Sequence, residues 1–327
     1  MNQMNVPIAN MNSLTDSFRV AVMGAGAVGG FVGGLLAQSG VPVTLIARGD
    51  HLRAIQTNGL RIKGQIGDFI VPIDATDDPS KLTSVDLILF TVKTYHNSEA
   101  TRQLLKTVDG SATILTLQNG ANTWEELSNS FGTGRVLPGA MYIEAKLGAP
   151  GVVEQQGNVY RIVLGEPDGT ISSRVQAIGH ILNRAGIPTQ ISSDVLKILW
   201  TKWIFIVALA GLTSASRAPM AELLKIDASR ELARQIMEEV EAVGRKRGIN
   251  LDSNVVDQTF AYMDAEAESL EASMYTDLLN GRPLELDALN GAVSRLGREL
   301  GVATPVNDTI YGLLKVHDIK GRRLIPH

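Results

Sequence analysis

Apolar residues in the first half of the chain fall in short, nearly unbroken runs. Residues 18–23, 41–47, 85–92 and 112–117 each read as a strand buried on both faces. Between the first two lies the glycine-rich stretch 24–40, which reads as a turn followed by a helix. Residues 60–63 and 68–73 predict a small hairpin. Residues 136–143, 152–156 and 160–164 predict later strands, and 187–191 a strand that closes the sheet. Aliphatic strands alternating with helices predict a parallel sheet with helices on both faces.

The pattern changes near Ser192. Ser192, Ser193 and Asp194 offer caps to the longest apolar run, 198–212, which reads as a helix buried in protein. Lys202 interrupts that run, and its length falls short of the roughly 18 residues a membrane span needs. Helical period then dominates. Leu232, Ile236, Val240 and Val243 mark one face, ending at Gly248. Val256, Phe260 and Met263 mark a second. Leu286, Leu289, Val293 and Leu296 mark a third, ending near Gly301, with Glu285 at its start. Thr304 and Pro305 open a last helix. The expected fold is an α/β half at 18–192, then an all-α half at 193–327. Residues 1–17 lack the basic start and apolar run of a signal peptide and read as a flexible tail.

Composition narrows the function classes. Of 327 residues 44% are hydrophobic and 20% charged, which excludes a disordered chain. The net charge of −4 supplies no basic field for nucleic acid or an anionic membrane, so neither is an expected partner. The chain has no cysteine, which removes disulfides and thiol chemistry and suits a reducing, cytoplasmic setting. The histidines at 51, 96, 180, 317 and 327 have no metal-ligand spacing, so no metal is expected.

One motif carries chemistry by its context. Gly24-Ala25-Gly26-Ala27-Val28-Gly29 follows a strand and opens a helix, the setting of a dinucleotide site in a Rossmann-like doubly wound sheet. Gly24 makes the tight turn, Gly26 lets backbone approach a pyrophosphate, and Gly29 lets helix and sheet pack closely. Ala27 and Val28 begin the helix whose free N–H groups face the phosphates. About 20 residues on, where an acid commonly binds the ribose 2′-hydroxyl, stands Arg48. A guanidinium favours a 2′-phosphate, so the expected cofactor is NADPH. Asp50 close by opposes that preference.

Further motifs follow in order: Thr91-Val92-Lys93-Thr94, Leu117-Gln118-Asn119-Gly120, Trp200-Thr201-Lys202, Ser273-Met274-Tyr275-Thr276-Asp277, and Glu285 through Gly291. In content and spacing the chain resembles the ketopantoate reductase family (2-dehydropantoate 2-reductases) over roughly residues 18–315. The resemblance implies reduction of a 2-oxo acid by NADPH to a D-2-hydroxy acid. It implies Lys202 as general acid and Glu285 as the group that binds substrate or orients the lysine. Asn119 would orient substrate and cofactor, with Lys93 close by. Ser273 would lie toward the substrate carboxylate. Read alone, Lys202 in an apolar run is either functional or snorkelling. Glu285 equally suits a helix start, Asn119 a turn, and Lys93 a solvated loop.

One departure bears on substrate. Family members usually carry asparagines four and eight residues past the lysine, whereas this chain has Ile206 and Ala210. An apolar lining predicts a substrate more hydrophobic than ketopantoate. Two other functions stay open at this level: an NAD(H)-dependent D-2-hydroxy acid dehydrogenase of the same fold, and a non-catalytic NADPH sensor. Apolar helix faces can pack within one chain or between the copies of a homodimer.

Overall fold

The computed structural model describes residues 18–107 and 110–324. The tail expected at 1–17 lies outside the described residues. Strands β1–β10 are Val20–Met23, Val43–Ile46, Leu60–Gly64, Gly67–Val71, Asp74–Thr76, Leu87–Phe90, Thr113–Thr116, Val136–Leu147, Val152–Leu164 and Thr189–Ile191. Helices α1–α6 are Ala27–Gln38, Gly49–Asn58, Asn97–Leu105, Thr123–Phe131, Ser173–Arg184 and Val195–Ser216. Helices α7–α12 are Met220–Leu223, Asp227–Lys246, Val255–Ala265, Ser273–Leu279, Asn290–Leu300 and Pro305–Arg322. The chain divides into two compact units. The first runs to Gln118 and from Thr123 to Val195; the second takes Asn119–Asn122 and continues from Leu196.

In the first unit the strands form one ten-stranded sheet in the order β4-β3-β9-β8-β7-β6-β1-β2-β5, with β10 beside β9. The run β5-β2-β1-β6-β7-β8 is parallel throughout. Its order reverses at β1, the switch point of a doubly wound sheet. The rest is mixed: it includes the hairpin expected at 60–63 and 68–73, and an antiparallel β8–β9 pair that the parallel pattern did not predict. β8 pairs antiparallel with β9, and β3 with β4, because short turns join them and a short turn can only reverse the chain. The strands expected at 152–156 and 160–164 are one strand. Gly157, Asn158 and Val159 bulge from it where the register slips beside Ile143. The polar edge strand β5 carries no apolar run and escapes sequence reading. The core packs Phe31, Val32 and Leu36 of α1 against Val22, Leu45 and Leu89, all buried.

The second unit is helical. Its core gathers Trp200, Trp203, Ile204 and Val207 of α6 with Ile236, Met237 and Val240 of α8 and Val293 of α11. Gly244 of α8 lies flat against Trp200, where a Cβ would come within 2.8 Å of the indole. Leu232, expected on the buried face of α8, is 40% exposed. The buried stripe instead passes through Ala233, Ile236, Met237, Val240 and Gly244. The helix expected from Glu285 to Gly301 is broken. Glu285–Ala288 forms a 3₁₀ turn, Leu289 leaves helical geometry at φ −104°, ψ −110°, and α11 starts afresh at Asn290. Gly301 ends α11 in left-handed geometry, φ 69°. Helix α6 is long and apolar enough to cross a membrane by length and composition, but 61% of its 18-residue window is buried in protein.

Candidate active site

In the first unit, a candidate nucleotide site sits at the carboxyl end of β1. Gly24 turns the chain at φ 102°, and a Cβ there would lie 2.7 Å from the Val92 nitrogen. At Gly29 a Cβ would overlap the Gly24 carbonyl oxygen and Thr91 Oγ1. At Gly26 a Cβ would meet nothing within 4 Å. Gly24 and Gly29 are therefore required by packing, whereas Gly26 faces open space of the kind a diphosphate occupies. Gly26 caps α1 without a side chain, and the first turn, opened by Ala27 and Val28, holds no acid. Its N–H groups and partial positive charge are left for an anion. These residues fit the diphosphate of a dinucleotide.

The loop is braced by residues without an assigned role in the sequence. Thr91 Oγ1 donates to the Gly24 carbonyl at 2.8 Å. His51 lies between Ala25 and Gly151. The Gly151 N–H can only donate, so Nδ1 accepts it at 2.9 Å, and Nε2–H must donate to the Ala25 carbonyl at 2.8 Å. An Nδ1 that accepts carries no proton, so the ring in this arrangement is neutral; burial likewise pushes the His51 pKa down, and the Ala25 carbonyl offsets part of that. Gln118, buried, donates to the Val92 carbonyl and to Asn97 Oδ1, each at 2.6 Å. It thereby ties the ends of β6 and β7 together. Only position in the motif hints at Thr91 and Gln118. Nothing local hints at His51, whose partner is 100 residues away.

Arg48 precedes α2 in extended geometry, φ −137°. Its guanidinium is engaged by Glu99 of α3, with Nη2 to Oε1 at 2.8 Å and Nη1 to Oε2 at 3.4 Å. Lys93, half-buried, caps the short turn Thr94–His96 after β6.

The helical unit holds its own group of candidate residues. Lys202 Nζ donates to Asn119 Oδ1 at 3.3 Å. Lys202 keeps some accessible surface, yet its ammonium lies deep among protein atoms. Burial pushes its pKa down to about 8, and the Glu285 carboxylate pulls it partly back. Glu285 is buried in the 3₁₀ turn. Trp203 Nε1 donates to the Ala288 carbonyl at 3.3 Å and joins α6 to that turn.

Helix α12 holds the turn from its other side. Asp318, fully buried, accepts from the Leu284 N–H at 3.0 Å and pairs with Lys315 and Arg322 at 3.0 and 2.9 Å. The same two cations reach Asp287 of the turn at 2.6 and 3.0 Å. Ile206 sits one helical turn beyond Lys202 and is partly buried, while Ala210 is 3% exposed and part of the core. Ser273 stands exposed at the start of α10. Among the described residues no cluster of three or more histidine, aspartate or glutamate side chains is placed to hold a metal.

Comparison with known proteins meets this geometry at the level of both units. The family model for ketopantoate reductase PanE/ApbA matches residues 20–169, and that for its C-terminal domain matches residues 194–318. The chain belongs to the ketopantoate reductase family. A family relative from Archaeoglobus fulgidus, named 2-dehydropantoate 2-reductase, is 31% identical over 297 residues, covering 91% of this chain and 97% of that one. The crystal structure of a PanE/ApbA family ketopantoate reductase from Ralstonia eutropha superposes with a TM-score of 0.86 at 32% identity, covering 93% of this chain and all of that one. A D-mandelate dehydrogenase solved with NADH and anilino(oxo)acetate superposes with a TM-score of 0.84 at 25% identity, covering 93% and 99%. Family membership and the glycine loop together mark the chain as a member of a family of nicotinamide-dependent oxidoreductases acting on CH–OH groups.

Proposed function

We propose that this family member reduces a 2-oxo acid with an apolar side chain to the D-2-hydroxy acid, using NADPH. The observation that carries the reading is Lys202: an ammonium with its pKa lowered to about 8, 3.3 Å from Asn119 and coupled to the buried Glu285. Such a group holds a proton at neutral pH yet releases it readily, as a general acid must.

A bound nicotinamide would supply the hydride for the carbonyl carbon. Lys202 gives a proton to the carbonyl oxygen, so that C=O becomes CH–OH and the lysine is left neutral until solvent reprotonates it. Before transfer the ammonium stabilises the negative charge growing on that oxygen. Asn119 Oδ1 holds one N–H of Lys202 and directs the others, while Glu285 favours the charged lysine. Lys93 belongs to this reading as a group near cofactor and substrate, and Ser273 as one toward the substrate carboxylate. Gly24, Gly26, Gly29 and the α1 N-terminus would hold the diphosphate, and Arg48 the 2′-phosphate.

Ile206 supports the apolar side chain. It lies one turn from the acid and keeps accessible surface, where the usual family amide would offer hydrogen bonds. The likeness to a D-mandelate dehydrogenase points the same way, since anilino(oxo)acetate carries an aromatic group. The second reading, a D-2-hydroxy acid dehydrogenase using NAD(H), is favoured by one observation: Glu99 already engages Arg48.

The test is kcat/KM across 2-oxo acids, for the wild type and Ile206→Asn. The wild type is expected to prefer branched or aromatic side chains to ketopantoate by about tenfold or more, and the variant to narrow that gap. Ketopantoate as far the best wild-type substrate would overturn the apolar reading.

A further inference from the structure

We propose that Glu99 sets how strongly the chain discriminates NADPH from NADH, by competing with the ribose 2′-phosphate for the guanidinium of Arg48 and by offering a carboxylate to a 2′-hydroxyl. The inference rests on the assignment of Arg48 to the ribose end of the cofactor.

Arg48 stands where the second strand of a dinucleotide fold meets the adenosine ribose. An acid at that place selects NADH and an arginine NADPH. This chain supplies both, from different elements. Arg48 comes from the end of β2, and Glu99 from the first turn of α3. The carboxylate meets the guanidinium with both oxygens, at 2.8 and 3.4 Å, the fork geometry that two phosphate oxygens would use. Gln103, one turn further along α3, donates to Glu99 Oε1 at 3.2 Å and accepts from Arg48 Nη2 at 3.5 Å. The carboxylate is thus held on the guanidinium by its own helix.

The pair is open to exchange. The Arg48 side chain is 53% exposed and that of Glu99 38%, so solvent screens their attraction. An arriving 2′-phosphate dianion can take the guanidinium, but it then shares the space with an anion. The adjacent guanidinium keeps the Glu99 pKa below the usual carboxylate range, so that anion persists throughout neutral pH. A 2′-hydroxyl meets the opposite situation: it donates to the carboxylate, and Arg48 stays paired. Glu99 therefore weakens NADPH binding and strengthens NADH binding, and the chain accepts both.

Calorimetric titration with 2′,5′-ADP and with 5′-AMP isolates the ribose end from the chemistry. Three proteins are compared: wild type, Glu99→Gln and Arg48→Gln. Arg48 is exposed and Glu99 half-buried, and a thermal melt checks that each variant folds. Glu99→Gln is expected to tighten 2′,5′-ADP by roughly three- to tenfold and to leave 5′-AMP unchanged or weaker. The NADPH:NADH ratio in kcat/KM should rise in parallel. A 2′,5′-ADP:5′-AMP preference unchanged in Glu99→Gln, or reduced, overturns the role of Glu99, and a reduced one would mean that the carboxylate presents Arg48 to the phosphate. Arg48→Gln reports on the premise separately. It should abolish the preference for 2′,5′-ADP; if that preference survives, the assignment of Arg48 falls, whatever Glu99 does.

Discussion

An ammonium surrounded by protein resists protonation, and Lys202 accordingly titrates near pH 8, although Glu285 and Asn119 help to keep it charged. Two consequences follow from the sign of that shift. On the proposed mechanism the lysine below pH 8 carries the proton for ketone reduction, so kcat for reduction should be level below pH 8 and fall above it. The reverse oxidation needs the neutral amine and should rise through the same pH. For stability, the folded pKa lies below the unfolded value of 10.5. Between pH 8 and 10.5 the unfolded chain binds a proton that the folded chain has lost, so stability rises with pH across that window. At pH 7 the charged lysine costs the fold up to about 3 kcal/mol. Lys202→Met should lower kcat by about 10²-fold or more while raising the urea midpoint at pH 7. A Met variant less stable than wild type would show that the contacts to Asn119 and Glu285 outweigh desolvation. The sequence shows this lysine in an apolar run, but its charge state depends on Glu285, 83 residues away in the chain.

At the scale of the element, the glycine loop separates packing from binding. Gly29→Ala drives a methyl into the Gly24 carbonyl and Thr91, so helix α1 cannot keep its place on the sheet. That variant should lose several degrees in melting temperature and bind cofactor poorly. Gly26→Ala meets open space. It should melt within a degree or two of wild type yet bind NADPH about tenfold or more weakly, because on the proposed reading the methyl stands where backbone approaches the diphosphate. Titration and melting of both variants check the pair; equal destabilisation would contradict it. The turn at Gly24 and the close packing at Gly29 were legible in the residues, since both require glycine locally. The turn carrying Glu285 was not. Its helical period runs on into α11, and only the Asp318–Lys315–Arg322–Asp287 network and the break at Leu289 separate it from that helix. Those partners come from α12, beyond the reach of any local pattern.

The whole molecule contains separate cores: strand and helix residues up to Ile187 in one unit, and α6 through α12, joined by Ala121, in the other. Each buries its own apolar faces, so calorimetry should resolve two transitions. Saturation with 2′,5′-ADP should raise the transition of the nucleotide unit, by about 2.7 kcal/mol at a hundredfold excess over Kd. A single transition moving as one would show the units to be coupled. The sequence by itself determined the strand–helix alternation, the change to helices after Ser192, the glycine loop and a lysine set in an apolar helix. These follow from periodicity and from local backbone sterics, which neighbouring residues impose. Tertiary structure alone decided the strand order and the antiparallel β8–β9 pair, the neutral His51 brace, the placing of Asn119 beside Lys202 and the capture of Arg48 by Glu99. Each joins residues far apart in sequence, and hydrogen bonds and charges act over a few ångströms of space, a distance that order along the chain does not encode.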